Sequence, residues 1–342
     1  MNMAHFNMRL RPFRASPDSR FYYPSAPHEA VLNQILRALD NDEGFVLLTG
    51  APGTGKTLIA HVLLERLGID VCSALITNCR FSCRRDLLQT ILFDLGLPYQ
   101  DRTEQELRLA LTEHILDNHA AGRRTILIMD EAQDLSLDLL EELRLLSNLE
   151  TGHGKAVQVI LIAQPALLLE LRKPELEVLR HRLNVRLHLD ALDMHEADDF
   201  LRHQLKVAGA EPEAVFSEEA LGLLARHTSG VPRVLNQAAA TALSLAEMQQ
   251  AENVDAEAAI EALTRFGIQV ELDGPPDEIA LAREVPHESP KGEDPKPEFP
   301  AAPVSVSSGF PTPGNFALPR EIASAYIYQP GEPVKMIFGE NG

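Results

Sequence analysis

Eight consecutive residues of this chain have the composition needed to grip a run of phosphates. Residues 50–57 read GAPGTGKT, which matches G-x-x-x-x-G-K-[ST] and stands between an apolar run and a helical pattern. Gly50, Gly53 and Gly55 allow the backbone to turn tightly and aim its N–H groups inward, with Ala51, Pro52 and Thr54 completing the loop. The helix that opens behind it adds the positive end of its dipole. Lys56 is then placed for the β and γ phosphates of ATP, and the Thr57 hydroxyl for Mg²⁺.

A phosphate cradle alone only binds, so a metal-holding acid and a water-polarising group are needed as well. ILIMDEAQ, residues 126–133, supplies both: four apolar residues end in Asp130, suited to Mg²⁺ directly or through water. Glu131 follows at the carboxyl edge of that strand, where ligands sit in open α/β sheets, and is the candidate for polarising the hydrolytic water. In VQVILIAQP, residues 157–165, Gln164 ends another apolar strand. Its amide either contacts the γ phosphate or the water, or merely closes the strand together with Pro165.

Two further elements carry arginine. Arg180, Arg182 and Arg186 lie in LRHRLNVRLHL, and a guanidinium delivered by a neighbouring copy would neutralise transition-state charge. Arg182 is the first choice and Arg180 the second, although arginines on a solvated helix end need no such role. In SGVPRVLN, residues 229–236, Arg233 falls in the first turn of a helix, where a cation opposes the dipole. An outside partner such as a bound phosphate would explain it.

These residues must be positioned by an alternation of short strands and longer helices, the pattern of a parallel sheet covered by helices. Strands are expected at residues 44–50, 70–77, 124–130, 157–163 and 184–189, with helices at 56–67, 84–95, 104–119 and 137–149. After residue 189 the strand signals stop, and helices are expected at 195–208, 217–227, 232–249 and 254–266. The fold class is therefore α/β, a five-stranded parallel P-loop sheet with helices on both faces, followed by a small all-helical lid. Four regions result: an N-terminal segment 1–30 flanking the nucleotide site, an α/β domain 31–190, a lid 191–268 and a tail 269–342. The last 72 residues hold 13 of the 23 prolines and 12 acids against 5 bases, a composition that does not fold alone. Residues 323–338 regain apolar character and are a candidate docking peptide.

Composition narrows the partners. A net charge of -19 repels a polyphosphate backbone, so DNA is not the expected partner, although it is not excluded. Cys72, Cys79 and Cys83 form one cluster without a second to complete a zinc site, and read as free thiols in a reducing compartment. No stretch approaches the roughly 20 apolar residues that span a bilayer. The expectation is a cytoplasmic protein, attached peripherally at the inner membrane, if at all, through partners.

Read in series, PFRASPDSRFYYPSAPHEAVLNQIL, GFVLLTGAPGTGKT, ILIMDEAQDLSLDLLEELRLLSNLET, VILIAQPALLLELRKPELEVLRHRLNVRLHL and TSGVPRVLN resemble the ExeA, or general secretion pathway protein A, type of AAA+ ATPase over about residues 5–268. The resemblance implies ATP hydrolysis with Mg²⁺, an ATP-dependent homo-oligomer with arginine fingers in trans, and energy supplied to the protein components of a secretion or envelope export system. It makes Gln164 sensor 1, Arg233 sensor 2 and Arg182 the finger, and places residues 13–23 beside the adenine. Secretion members usually continue into a transmembrane helix and a peptidoglycan-binding domain, whereas this sequence runs into the acidic tail. The alternative is an ATP-dependent DNA-associated switch of the transposition-target-selection or origin-recognition type, and a third reading is a slow regulatory nucleotide switch.

Overall fold

Apolar runs of five to seven residues are buried on both faces when helices cover a sheet from both sides, and that burial organises the first part of the molecule. The computed structural model describes residues 3–152 and 154–270. The elements are α1 (Ala26–Asp40), β1 (Phe45–Gly50), α2 (Lys56–Arg66), β2 (Val71–Ile76), α3 (Arg84–Asp94), α4 (Glu104–Ala120), β3 (Arg124–Met129), α5 (Leu137–Leu146), β4 (Glu150–Thr151), β5 (Gly154–Lys155), β6 (Val157–Ala163), α6 (Ala166–Glu170), α7 (Glu177–Arg182) and β7 (Val185–Leu189). The helical part follows as α8 (Met194–Ala208), α9 (Pro212–Val215), α10 (Glu218–His227), α11 (Pro232–Met248) and α12 (Ala256–Arg265).

The sheet is five-stranded in the order β2-β3-β6-β1-β7, and every pairing in it is parallel. Alternation along the strands divides the interior. Val46, Leu48, Ile126, Ile128, Ile160 and Ile162 face α1 and α2, whereas Phe45, Leu47, Leu127, Met129, Val159 and Leu161 face α3, α4, α5 and α7. Each such leucine or isoleucine contributes roughly 1.5–3 kcal/mol by leaving water. The register sets Thr49 beside Ala163 and Met129 beside Leu161, so β1, β6 and β3 reach the same edge together. The residues that follow them, where the chemistry was expected, are thereby brought side by side.

The five expected strands and eight expected helices are present, with no end shifted by more than three residues and both ends of the 157–163 strand as expected. Several elements were not anticipated: α1, the short helices α6, α7 and α9, and the β4–β5 hairpin. The expected boundary at residue 30 falls inside α1, which begins at Ala26 behind the extended Ser25 with Pro27 in its first turn.

The N-terminal segment packs against the helical part. Phe6, Met8, Phe13 and Phe21 are buried in the helical core with Phe200, Leu201, Phe216 and Leu243. The backbone N–H groups of Arg9 and Leu10 donate to the Ala208 carbonyl, and Gln204 donates to the Phe21 carbonyl. Phe13 and Phe21, only 4% and 6% exposed, build the helical core, while Tyr22 and Tyr23 of the segment expected beside the adenine are half-buried. The acidic, proline-rich stretch and the candidate docking peptide at 323–338 lie outside the described residues.

Candidate functional site

The P-loop leaves the end of β1 and closes on the first turn of α2. Gly55 takes φ 102°, and a Cβ built there would lie 3.0 Å from the His28 Nε2, so a side chain would be both strained and crowded. Thr54 is buried and its hydroxyl donates to the Ala51 carbonyl at 2.9 Å, while Ala51 and Pro52 form the exposed crest of the turn. Lys56 is 6% exposed and its Nζ donates to the carbonyls of Gly50 and Ala51, both at 2.9 Å. Burial pushes this ammonium below the usual lysine range, against the pull of Glu131 and Asp130 and aided by Arg233. It lies against the loop it would share with the phosphates.

Asp130 is 2% exposed at the end of β3, and its Oδ2 accepts from the Thr57 hydroxyl at 2.6 Å. Its Oδ1 accepts from the backbone N–H of Glu131 at 2.9 Å. Burial raises its pKa, offset by those two hydrogen bonds. A hydroxyl and a carboxylate in contact beside a phosphate loop form the hard-oxygen donor set that Mg²⁺ takes when phosphates complete its shell, and the residues present fit that ion. Among the described residues no cluster of three or more His, Cys, Asp or Glu forms a separate metal cage.

Glu131 has φ 56° and ψ 38°, left-handed values that are strained for a residue with a Cβ. That turn carries its carboxylate toward Gln133 and Gln164. Gln133 Nε2 donates to Glu131 Oε2 at 2.5 Å, Gln164 Nε2 stands 3.4 Å from the same oxygen, and the Gln164 backbone N–H donates to Gln133 Oε1 at 2.9 Å. The buried Cys79 thiol donates to the Asp130 carbonyl at 2.9 Å and is pushed up to about 12 by burial and the nearby Asp130, Asp134 and Glu131, which keeps it protonated.

Arg233 is brought to the loop from the other half of the molecule. It lies in the first turn of α11, and its backbone N–H donates to the Gly53 carbonyl at 3.2 Å. The approach depends on Gly230, where φ is 65° and a Cβ would lie 1.7 Å from the Leu192 carbonyl oxygen. Two helix N-termini, those of α2 and α11, thus converge on the loop.

Arg182 is the predicted residue that does not join this group. It ends α7, and its charged neighbours, Arg144, Glu141 and Lys155, belong to α5 and β5. Burial first, and then Arg144, lower its proton affinity below the ordinary arginine range. Arg180 points elsewhere, into an open hollow of about 630 Å³ shared with Thr49, Arg172, Arg186 and His188.

Two neighbours of the site were not singled out from the sequence. His28 in α1 donates from Nε2 to the Thr54 carbonyl at 3.0 Å and accepts at Nδ1 from Ser25 at 2.7 Å, an assignment forced because a carbonyl only accepts. Gln133 is the other. A histidine in the first turn of a helix and a glutamine in a 3₁₀ turn gave no local signal for either role.

Residues 38–171 match the model of the AAA domain family. The chain belongs to the AAA+ P-loop family. Over 232 residues it is 40% identical to general secretion pathway protein A of Aeromonas hydrophila, covering 68% of this chain and 42% of that one, so it spans about two fifths of the relative's length. Among solved structures, Cdc6p of Pyrobaculum aerophilum superposes with a TM-score of 0.59 at 18% identity over 73% of this chain and 71% of that one. The Aeropyrum pernix ORC1 protein, solved in complex with DNA, gives 0.56 at 21% identity over 74% and 68%. At those identities the likeness speaks for the fold alone, and the sequence likeness places this AAA+ chain with the general secretion pathway protein A type.

Proposed function

We propose that this AAA+ protein binds ATP with Mg²⁺ and hydrolyses it, and that the cycle drives or switches assembly of a secretion or envelope export machinery. One observation carries the catalytic part: Thr57 and Asp130 in contact beside the buried Lys56, with Glu131 at the next position on the strand edge. Mg²⁺ would supply charge neutralisation between the β and γ phosphates. Lys56 and the loop N–H groups hold the phosphates, Thr57 and Asp130 orient the ion, and Glu131 accepts a proton from the attacking water as it turns toward phosphorus. Gln164 contacts the γ phosphate, and Arg233 reports its presence to the helical half.

The export role rests on the kinship with general secretion pathway protein A, and the machinery's protein components are the partners it implies. Among the described residues no helix is long and apolar enough to cross a membrane. Peripheral attachment at the inner membrane through those partners is part of the proposal. Arg182, set away from its own P-loop, fits delivery to a neighbouring copy in a homo-oligomer.

The decisive measurement pairs calorimetry with single-turnover hydrolysis. Glu131→Gln should bind Mg-ATP within about twofold of the parent and hydrolyse it roughly 100- to 1,000-fold more slowly. Wild-type turnover in that variant removes the water-polarising role. In mixed assemblies, Arg182→Ala subunits should depress the turnover of unmodified neighbours more than dilution does; a rate proportional to the unmodified fraction removes Arg182 as the finger.

A further inference from the structure

Gln133 lies two residues beyond Glu131, in the 3₁₀ turn Ala132–Asp134, and its side chain spans the gap between two strand ends. The orientation of its amide is settled by its partners. The Gln164 backbone N–H can only donate, so Oε1 faces it, and the Glu131 carboxylate can only accept, so Nε2 faces Glu131. Both side-chain donors, from Gln133 and Gln164, converge on Oε2 of Glu131. That leaves Oε1 as the oxygen for water. The backbone at Glu131 is held left-handed at the same time, with its N–H on Asp130 and its carbonyl accepting from the Asp134 N–H at 3.0 Å. Main chain and carboxylate are thus fixed by separate contacts.

We infer that Gln133 is a positioning residue for hydrolysis, a strut that ties the aim of the Glu131 carboxylate to the position of Gln164 at the end of β6. The inference rests on the reading of Glu131 as the water-polarising group. A displacement of Gln164 on contact with the γ phosphate is carried by its backbone N–H to Gln133, and by the opposite end of that amide to Glu131. An error of about 1 Å in such a group lowers a rate by about 100-fold. Binding does not involve Gln133, which touches neither the P-loop nor the Thr57–Asp130 pair in any hydrogen bond described above.

The test compares full-length wild type, Gln133→Leu, Gln133→Glu, Glu131→Gln and the Glu131→Gln/Gln133→Leu double variant, in Mg-ATP affinity and single-turnover rate. Gln133→Glu retains the acceptor for the Gln164 N–H while turning an oxygen toward Glu131, and it carries the test should the leucine variant fail to fold. Both single variants at Gln133 should keep affinity within about twofold and lose about 100-fold in rate. In the Glu131→Gln background the leucine should change the residual rate by less than about twofold, because the group it aims is already gone. An equal loss in both backgrounds marks a general structural effect and overturns the inference. So does a wild-type rate in both Gln133 variants beside a slow Glu131→Gln, which leaves the ATPase reading standing. A wild type without hydrolysis removes the ATPase reading and the strut together.

Discussion

The two halves that meet over the phosphate loop hold it by different means. From the α/β half, Lys56, Thr57, Asp130, Glu131 and Gln164 project from strand ends and a helix start whose neighbours are buried and whose register is shared across β1, β6 and β3. From the helical half, Arg233 arrives on a single backbone hydrogen bond to Gly53, after a turn that only Gly230 permits. A contact of that kind is worth about 1 kcal/mol and is readily made or broken. The proposed phosphate and metal ligands are placed by the sheet, and the proposed nucleotide sensor is placed by a helix that reaches the loop through one backbone hydrogen bond.

The comparison is broken most severely at Lys56. Lys56→Ala should weaken Mg-ATP binding by roughly 100-fold or more, about 3 kcal/mol, whereas Arg233→Ala should cost about tenfold in the same titration. Equal losses would mean that the two halves grip the phosphates alike. Gly230→Ala comes next. Its Cβ collides with the Leu192 carbonyl, so urea unfolding should show about 2–3 kcal/mol less stability, and a variant as stable as the parent would remove the turn as the constraint on Arg233.

The smallest effect concerns His28, whose buried imidazole supports the loop from α1. Burial lowers its proton affinity below the usual 6.5, outweighing the Thr54 carbonyl, Glu196 and Glu29, which raise it. Above that pH the ring is neutral in folded and unfolded chains alike, and its contribution is complete. As pH falls below 6.5, the unfolded chain takes up a proton that the folded one refuses, and stability is lost down to the depressed folded value. His28→Gln should therefore lose less stability than the parent between about pH 7.5 and about pH 5.5, by at most about 1.4 kcal/mol per pH unit. Identical pH slopes in denaturant titrations would show that the ring titrates normally.

Much of the α/β half was legible because its strands are apolar runs that stop at a polar candidate for the site: Ile126 to Met129 end in Asp130, and Val157 to Ala163 end in Gln164. Each strand announces both its burial and its exit. Helix α1 carried the usual spacing in Val31, Leu32, Ile35 and Leu39, but its start in Ser25-Ala26-Pro27 resembled a loop. The roles of His28 and Gln133 were not legible. Thr54 is 26 residues from His28, and Gln164 meets Gln133 only because β3 pairs with β6, a fact of topology that no local window contains. Arg182 was favoured over Arg180 without a local feature to separate them, and the last turn of α7 sends them to different neighbours.

The burial of Phe6, Met8, Phe13 and Phe21 against Phe200, Phe216 and Leu243 has a consequence for synthesis. These apolar residues leave the ribosome well before the surface that receives them, which is made some two hundred residues later, after the whole α/β domain has been translated. At about 5–20 residues per second they remain solvated for roughly ten seconds or more, a window in which a chaperone has four apolar side chains to hold. A fragment beginning at α8 would lack those side chains and expose the groove they fill, which makes residues 6–21 the segment to retain in any expression of the helical half.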